Sequence, residues 1–230
     1  MITDLVFDFF GTLAGYTPGA FHEPYTATHE LLRAEGLDIE YAAFQDGYSR
    51  AVDRLEEHAR ATYVEYHHDQ VADAFFSECF TLLVPTDVRH RVAASFVAEW
   101  NRGTVFRPEI TELLHRLSHR FRLSVLSNTH YPPMIHANLR TMGVDRLIAH
   151  VTTSVEFGYR KPDPRIFYAT LAALEILPEQ AVYIGDTFED DYQGATAAGL
   201  RCILIDPDGQ WAGVVPERVE RIEEIERLLG

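Results

Sequence analysis

The sequence predicts an α/β fold, a Rossmann-like, doubly wound parallel sheet whose first strand is followed by an inserted all-helical domain. Short, nearly unbroken apolar runs are typical of strands buried on both faces, as in a parallel sheet. Helical patterns alternate with the later runs. Residues 15–103 instead predict consecutive helices without a clear strand. We therefore expect a core domain formed by residues 1–14 and 104–230, and a helical domain formed by residues 15–103.

Five apolar runs are the predicted strands of the core. Strands that alternate with helices in this way are joined by right-handed crossovers, which makes them parallel. The runs are Leu5–Phe9, Leu123–Ser127, Val151–Thr153, Val182–Gly185 and Cys202–Ile205.

Helices are predicted between the later strands by apolar stripes and by capping residues. One stripe precedes the second strand, and another follows it and ends at Gly143. Asp163 before Pro164 is typical of a helix start, and residues 191–198 predict a further helix before Gly199. After a loop at residues 206–216, a last amphipathic helix is expected. The stripes are Ile110, Leu113, Leu114 and Leu117, then Ile135, Leu139 and Met142; the last helix is Glu217–Leu229.

The inserted segment contains four helical patterns. Its histidines and aromatic residues are mostly expected in its core or on a solvated face, and they do not indicate a substrate. The four predicted helices are Tyr25–Glu35, Tyr41–Tyr66, Asp69–Leu83 and Asp87–Asn101.

Composition limits the class of protein. The 230 residues suffice for one or two domains with a real core. The net charge of -15 argues against nucleic acid or an anionic membrane as the main partner. No apolar run is long enough to span a membrane, and the acidic N-terminus is not a secretion signal. Cys79 and Cys202 are far apart and suggest no disulfide framework, so a reducing cytoplasm is expected.

Polar residues follow three of the predicted strands. The first run contains Asp8, the second ends in Ser127–Asn128–Thr129, and the fourth leads into Gly185–Asp186–Thr187, with Asp190 and Asp191 just beyond. Ligands of open parallel sheets bind outside the carboxyl ends of the strands. These clusters should therefore converge, and Lys161, the only lysine of the chain, could reach the same crevice.

Carboxylates gathered at one sheet edge repel each other and raise each other's pKa. A divalent cation and one lysine would relieve that repulsion. Oxygen ligands in a carboxylate-rich site favour Mg²⁺.

Taken together, these segments resemble the four sequence motifs of the haloacid dehalogenase superfamily, in order and at plausible spacing. The resemblance covers the core, and the inserted helices resemble the helical cap that many members carry. The segments are DFFGT (8–12), SNT (127–129), Lys161 and GDTFEDD (185–191).

The resemblance implies roles for these residues. Asp8 would be a nucleophile that forms a covalent aspartyl intermediate. Ser127, Asn128 and Lys161 would bind the phosphoryl group, with backbone N–H groups near Gly11 and Thr12, and Lys161 would neutralise charge. Mg²⁺ would be held by Asp8, the backbone carbonyl of Phe10 and Asp186, with help from Asp190 or Asp191.

Phe10 departs from the family pattern, because the family's phosphatases carry a second aspartate there that acts as general acid and base. Three interpretations follow. The protein could be a phosphatase whose leaving group needs no proton, or whose acid comes from the cap, with His22 and Glu23 as candidates by position. It could be a 2-haloacid dehalogenase, which carries an aromatic residue there. It could also be a non-catalytic module that binds a phosphorylated ligand or a protein.

The fourth motif favours the first interpretation. Dehalogenases need no metal and typically lack the metal-binding acid there, whereas Asp186, Asp190 and Asp191 are all present. We therefore predict a Mg²⁺-dependent phosphatase that acts on a small phosphorylated metabolite as a monomer or homodimer.

Overall fold

A computed structural model of the chain describes residues 1–17 and 25–230. These residues form two compact units. One comprises Met1–Tyr16 and Val105–Gly230, and the other comprises Thr17–Thr104. Candidate residues His22 and Glu23 lie outside the described residues. That the helical unit acts as a cap stays a prediction.

The first unit contains strands and helices, and the described elements of the second are helices except for Thr104 of β3 at its boundary. The strands are β1 (Asp4–Phe7), β2 (Gly15–Tyr16), β3 (Thr104–Val105), β4 (Arg122–Ser127), β5 (Ile148–Thr153), β6 (Ala181–Gly185), β7 (Arg201–Ile205) and β8 (Arg218–Val219). The α-helices are α1 (Thr26–Ala34), α2 (Tyr41–Thr62), α3 (His68–Cys79), α4 (Thr86–Asn101), α5 (Pro108–Ser118), α6 (Pro132–Thr141), α7 (Ser154–Phe157), α8 (Pro164–Leu174), α9 (Gly194–Ala197) and α10 (Glu226–Leu229). A π-helical turn spans Phe188–Gln193, and 3-10 turns span Asp145–Leu147, Pro178–Gln180 and Ile222–Ile225.

Six parallel strands form the sheet of the first unit, in the order β5-β4-β1-β6-β7-β8. The predicted α/β fold with a parallel sheet is confirmed, and each of the five predicted strands is present. Strand β1 lies in the middle, with Phe7 opposite Val125 on one side and Ile184 on the other. The strand order reverses around β1, which is the switch point where open α/β sheets bind ligands.

Both faces of the sheet are covered by helices, as expected for a doubly wound fold. Phe7 and Val125 pack in one apolar cluster with residues of α5 and α6, including Leu113. Val6 packs on the opposite face with residues of α8 and α9, including Phe167. Burial on both faces explains why these strands are apolar runs without alternation.

The predicted C-terminal helix Glu217–Leu229 is wrong. Arg218 and Val219 instead form β8 at the edge of the sheet, opposite Leu204 and Ile205. A 3-10 turn and the four-residue α10 follow. The apolar spacing that suggested one helix arises because Val219 is buried through strand pairing, whereas the residues after it are buried through the turn.

The second unit has its own core, built on three phenylalanine rings. Phe44 of α2 lies 5.7 Å from both Phe75 of α3 and Phe96 of α4, measured between ring centroids. Gly47 allows α2 to approach α3, because a Cβ atom there would lie 2.2 Å from Sγ of Cys79. This core makes the helical segment a compact unit rather than a long loop.

Two helices of this unit end earlier than predicted. Helix α2 ends at Thr62, where Tyr63 adopts the left-handed conformation with φ of 58°. Helix α3 ends at Cys79, and extended Phe80 packs its ring on Phe76 instead of continuing the helix. Across residues 1–17 and 25–230, no helix combines the length and the apolar character needed to cross a membrane.

Candidate active site

Asp8 directly follows β1, in the middle of the sheet. Its backbone N–H donates to the carbonyl of Ile184 at 2.8 Å, which fixes the residue against β6. Its side chain is buried, and Oδ1 accepts a hydrogen bond of 2.7 Å from Nζ of Lys161. Burial raises the pKa of Asp8 to about 8, opposed by Lys161 and reinforced by the charges of Asp191 and Asp186. Without a cation, this carboxylate is therefore costly to ionise.

A tight turn after Asp8 brings the first motif against Asp186. Gly11 has φ of +91°, and a Cβ atom there would lie 2.2 to 2.6 Å from the three atoms of the Asp186 carboxyl group. Only glycine satisfies both conditions. The hydroxyl of Thr12 donates to Oδ1 of Asp186 at 2.9 Å. Gly11 and Thr12 thus hold the Asp186 carboxylate in place.

Asp186 and Asp191 belong to the turn after β6. Oδ2 of Asp191 accepts the backbone N–H groups of Asp186 at 3.0 Å and of Thr187 at 2.9 Å, which shapes the loop that carries Asp186. Gly185 leaves room for this contact, because a Cβ atom there would lie 2.3 Å from Cγ of Asp191. Burial, together with the charge of Asp191, raises the pKa of Asp186 to about 6.

Lys161 is buried in this acidic group. Nζ lies 2.7 Å from Oδ1 of Asp8, 2.6 Å from Oδ1 of Asp191 and 2.9 Å from the hydroxyl of Tyr183. Burial alone would lower the pKa of Lys161, but Asp191 and Asp8 outweigh it and raise that pKa above its usual value. The ammonium group is therefore charged at neutral pH.

Asn128, whose role in substrate binding stays a prediction, holds the backbone of Lys161. Its Oδ1 accepts the N–H of Lys161 at 2.8 Å, and its Nδ2 donates to the carbonyl of the same residue at 3.1 Å. Nδ2 also lies 3.4 Å from Oδ2 of Asp190. The side chain of Asn128 thus positions the lysine through two hydrogen bonds.

Ser127 is buried at the carboxyl end of β4, the strand next to β1. Its hydroxyl lies 3.3 Å from the carbonyl oxygen of Asn128. Within the described parts of the chain it makes no hydrogen bond to Asp8, so it belongs to the same sheet edge without joining the charged network.

The structure therefore brings six of the residues that the sequence selected into one charged network, and Asn128 contacts that network through the backbone of Lys161. Phe10, selected for its backbone carbonyl, is half-buried, and its ring packs edge-on to Phe9 at 4.9 Å. The six residues in the network are Asp8, Gly11, Thr12, Lys161, Asp186 and Asp191.

Sequence reasoning missed Tyr183. It lies inside the apolar run of β6, where it looked like an ordinary core residue. The available signal was chemical, because a buried tyrosine hydroxyl almost always has a hydrogen-bonding partner.

The donor set fits a hard divalent cation. Asp8, Asp186 and Asp191 each offer a carboxylate oxygen, and these three atoms lie within 4.8 Å of one another. Both oxygens of Asp191 already accept two hydrogen bonds each. Among the described residues, Oδ2 of Asp8 and Oδ2 of Asp186 accept none. Carboxylate oxygens at this spacing are suitable ligands for Mg²⁺.

Comparison with known proteins agrees with this architecture. The sequence model of the haloacid dehalogenase-like hydrolase family matches residues 5–199 of this chain. Human haloacid dehalogenase-like hydrolase domain-containing protein 3 is 26% identical over 181 residues, covering 75% of this chain and 71% of that protein. The phosphoserine phosphatase of Thermus thermophilus is 31% identical over 115 residues, covering 50% of this chain and 46% of that enzyme.

Among solved structures, a 2-haloacid dehalogenase from Pseudomonas syringae aligns with a TM-score of 0.72 and 22% identity, covering 100% of this chain and 98% of that one. A likeness at that identity supports the fold alone. The match over residues 5–199, in contrast, spans most of the sequence. This protein therefore belongs to the haloacid dehalogenase-like hydrolase family and is a hydrolase.

Proposed function

We propose that this hydrolase is a Mg²⁺-dependent phosphatase that acts on a small phosphorylated metabolite through a covalent phosphoryl group on Asp8. The observation that carries the proposal is the carboxylate of Asp186, held beside Asp8 by Thr12 and by the space at Gly11. A carbon–halogen hydrolase has no use for a second carboxylate that makes its nucleophile harder to ionise.

Asp8 would attack with the oxygen that does not contact Lys161. The new bond joins Oδ2 of Asp8 to phosphorus, the bond from phosphorus to the leaving oxygen breaks, and water later releases phosphate. The buried ammonium of Lys161 stabilises the charge that Asp8 shares with the phosphoryl oxygens, since its position is fixed in a site shielded from water. Ser127, at the neighbouring strand end, is placed to bind a phosphoryl oxygen.

Asp186 would hold Mg²⁺ directly, as would Asp8 through the carboxylate oxygen that does not attack phosphorus, and the backbone carbonyl of Phe10 stays a predicted ligand. Asp191 would act as a supporting residue, because its oxygens already bind Lys161 and the loop of Asp186. When bound, Mg²⁺ supplies Lewis-acid polarisation of the phosphoryl group and offsets the charge of the carboxylates.

Phe10 determines which substrates suit this site. Its ring packs on Phe9 and can neither donate nor accept a proton. General acid–base catalysis typically contributes a rate factor of about 10²–10⁴. We therefore propose substrates with leaving groups that need no proton, such as acyl or aryl phosphates.

A 2-haloacid dehalogenase activity is the second candidate, favoured by the aromatic side chain at position 10. Halide leaves without a proton, so Phe10 would not limit that reaction. In this case Asp8 would attack the carbon that bears the halogen, and neither Asp186 nor a metal would be needed.

A matched pair of assays separates the two. With Mg²⁺, the wild-type protein should release phosphate from p-nitrophenyl phosphate or acetyl phosphate faster than from an alkyl phosphate. Asp186→Asn should abolish this activity, and Asp8→Asn should abolish any hydrolysis. Chloride release from 2-chloropropionate that survives EDTA and Asp186→Asn would favour the dehalogenase. Inactivity in both assays, together with tight binding of a phosphorylated ligand or a protein, would favour the binding module.

A further inference from the structure

Among the residues that the structure describes, the Tyr183 hydroxyl is the one neutral group that hydrogen-bonds to the Lys161 ammonium. Its ring lies in the middle of β6, is completely buried and packs against Phe167 of α8 with centroids 5.2 Å apart. Its hydroxyl lies at the point where Lys161 and Asp191 meet. The ring is held by a strand and a helix, so the hydroxyl has a fixed position.

The number of donors on Lys161 determines whether the Tyr183 hydroxyl donates or accepts in its hydrogen bond with Nζ. A lysine ammonium has three donors, and three oxygens lie within bonding distance of Nζ, from Asp8, Asp191 and Tyr183. Tyr183 therefore accepts from Lys161 and uses its own proton elsewhere. Oδ1 of Asp191 lies 2.9 Å away, nearer than the carbonyl of Leu126 at 3.4 Å.

The two carboxylates compete for the ammonium group. Asp191 contacts Nζ at 2.6 Å and Asp8 at 2.7 Å, on side chains that come from different parts of the chain. By donating to Oδ1 of Asp191, the Tyr183 hydroxyl weakens the attraction between that oxygen and the Lys161 ammonium. By accepting from Nζ, the same hydroxyl binds the third N–H donor of the ammonium group and so fixes its orientation.

We propose that Tyr183 is a positioning residue, which keeps the Lys161 ammonium in contact with Asp8 while the same ammonium also contacts Asp191. Its catalytic consequence rests on the proposed function, in which Lys161 stabilises charge on Asp8 and the phosphoryl group. The placement of Lys161 itself can be tested without any substrate.

The kinetic test uses Tyr183→Phe, which removes only the hydroxyl. With p-nitrophenyl phosphate and Mg²⁺, kcat should fall by about 10- to 100-fold while KM changes little, because a hydrogen bond to a charged group is lost in the reacting site. Tyr192→Phe is the matched control. The hydroxyl of Tyr192 has no hydrogen bond among the described residues, so kcat should stay at the wild-type value.

A double variant separates positioning from a structural effect. If Tyr183 acts through Lys161, Tyr183→Phe should have almost no effect on kcat in a Lys161→Ala background, since residues that act as a unit are not additive. An equal fall in both backgrounds would overturn the proposal, as would a wild-type kcat for Tyr183→Phe alone.

The second test needs no turnover. Lys161 is the only lysine, so protein labelled with ¹³C,¹⁵N-lysine gives the side-chain NMR signals of this residue alone. The wild type should show an ammonium signal that exchanges slowly with water and a nuclear Overhauser effect to a tyrosine ring, because Nζ lies 5.6 Å from the centroid of Tyr183. Tyr183→Phe should shift the signal and speed its exchange, whereas Tyr192→Phe should not.

The two tests fail in distinguishable ways. Absence of phosphatase activity in the wild-type protein would contradict the proposed function. The NMR measurement would still test whether Tyr183 positions Lys161. An unchanged ¹⁵Nζ signal in Tyr183→Phe contradicts the inference. If that variant does not fold, rapid ammonium exchange or a missing Overhauser effect in the wild type contradicts it instead.

Discussion

Replacing Asp8 by asparagine should change how the stability of the metal-free protein depends on pH. The pKa of Asp8 is raised from 3.8 to about 8 in the folded protein, chiefly by burial. Between pH 3.8 and about pH 8, the Asp8 carboxyl group is protonated in the folded state and ionised in the unfolded state. The stabilisation that Asp8 contributes is therefore complete below pH 3.8 and is lost as the pH rises through about 8.

One extra bound proton corresponds to a loss of at most about 1.4 kcal/mol of unfolding free energy per pH unit. Asp8→Asn keeps the shape of the side chain and does not titrate. The difference in unfolding free energy, wild type minus variant, should therefore fall by about 2–3 kcal/mol between pH 5 and pH 7. Urea unfolding in the presence of EDTA, followed by circular dichroism at each pH, measures this difference.

Mg²⁺ provides the internal control. A cation that binds the ionised carboxylates competes with their protons, so it stabilises the folded protein more strongly as the pH rises. Added Mg²⁺ should thus flatten the wild-type pH dependence and leave that of Asp8→Asn nearly unchanged. A difference between the two proteins that stays constant from pH 5 to pH 7 in EDTA would refute the reasoning.

Three further substitutions test other parts of the account. Phe10→Asp should raise kcat on alkyl phosphates by about 10-fold or more, because it supplies the missing acid; unchanged kcat would show that another group already donates the proton. Gly11→Ala should destabilise the protein by about 1–2 kcal/mol through its positive φ and weaken Mg²⁺ binding in calorimetry by displacing Asp186; wild-type Mg²⁺ affinity would contradict this. Gly47→Ala should cost about 1–3 kcal/mol in urea unfolding, because its Cβ overlaps Cys79; a neutral effect would mean that the helices separate freely.

Much of the fold follows from local sequence patterns. Apolar runs predicted five of the six strands of the large sheet, because both faces of a parallel sheet are buried. The short β8 could not be predicted, because a two-residue strand such as Arg218–Val219 exists only through its pairing with β7. Helix α2 likewise ends because Tyr63 adopts the left-handed conformation, and no glycine at this position allowed the sequence to predict that end.

The candidate site was partly predictable for a similar reason. Asp8 and Asp186 were predicted because their positions at the ends of predicted strands indicated a common sheet edge, and Lys161 because it could reach the same crevice. The structural use of the Asn128 amide and of the Tyr183 hydroxyl could not be read from the sequence. Both depend on which backbone or side-chain atom lies within about 3 Å, and tertiary packing alone determines that distance.

The central claim is that Asp8 becomes covalently phosphorylated. The direct measurement is mass spectrometry of protein quenched in acid during turnover of p-nitrophenyl phosphate with Mg²⁺, followed by peptide mapping. The account predicts one added phosphoryl group, on the peptide that contains Asp8, and none on Asp8→Asn. Phosphate release without any label on that peptide, or with the label on another residue, would contradict it.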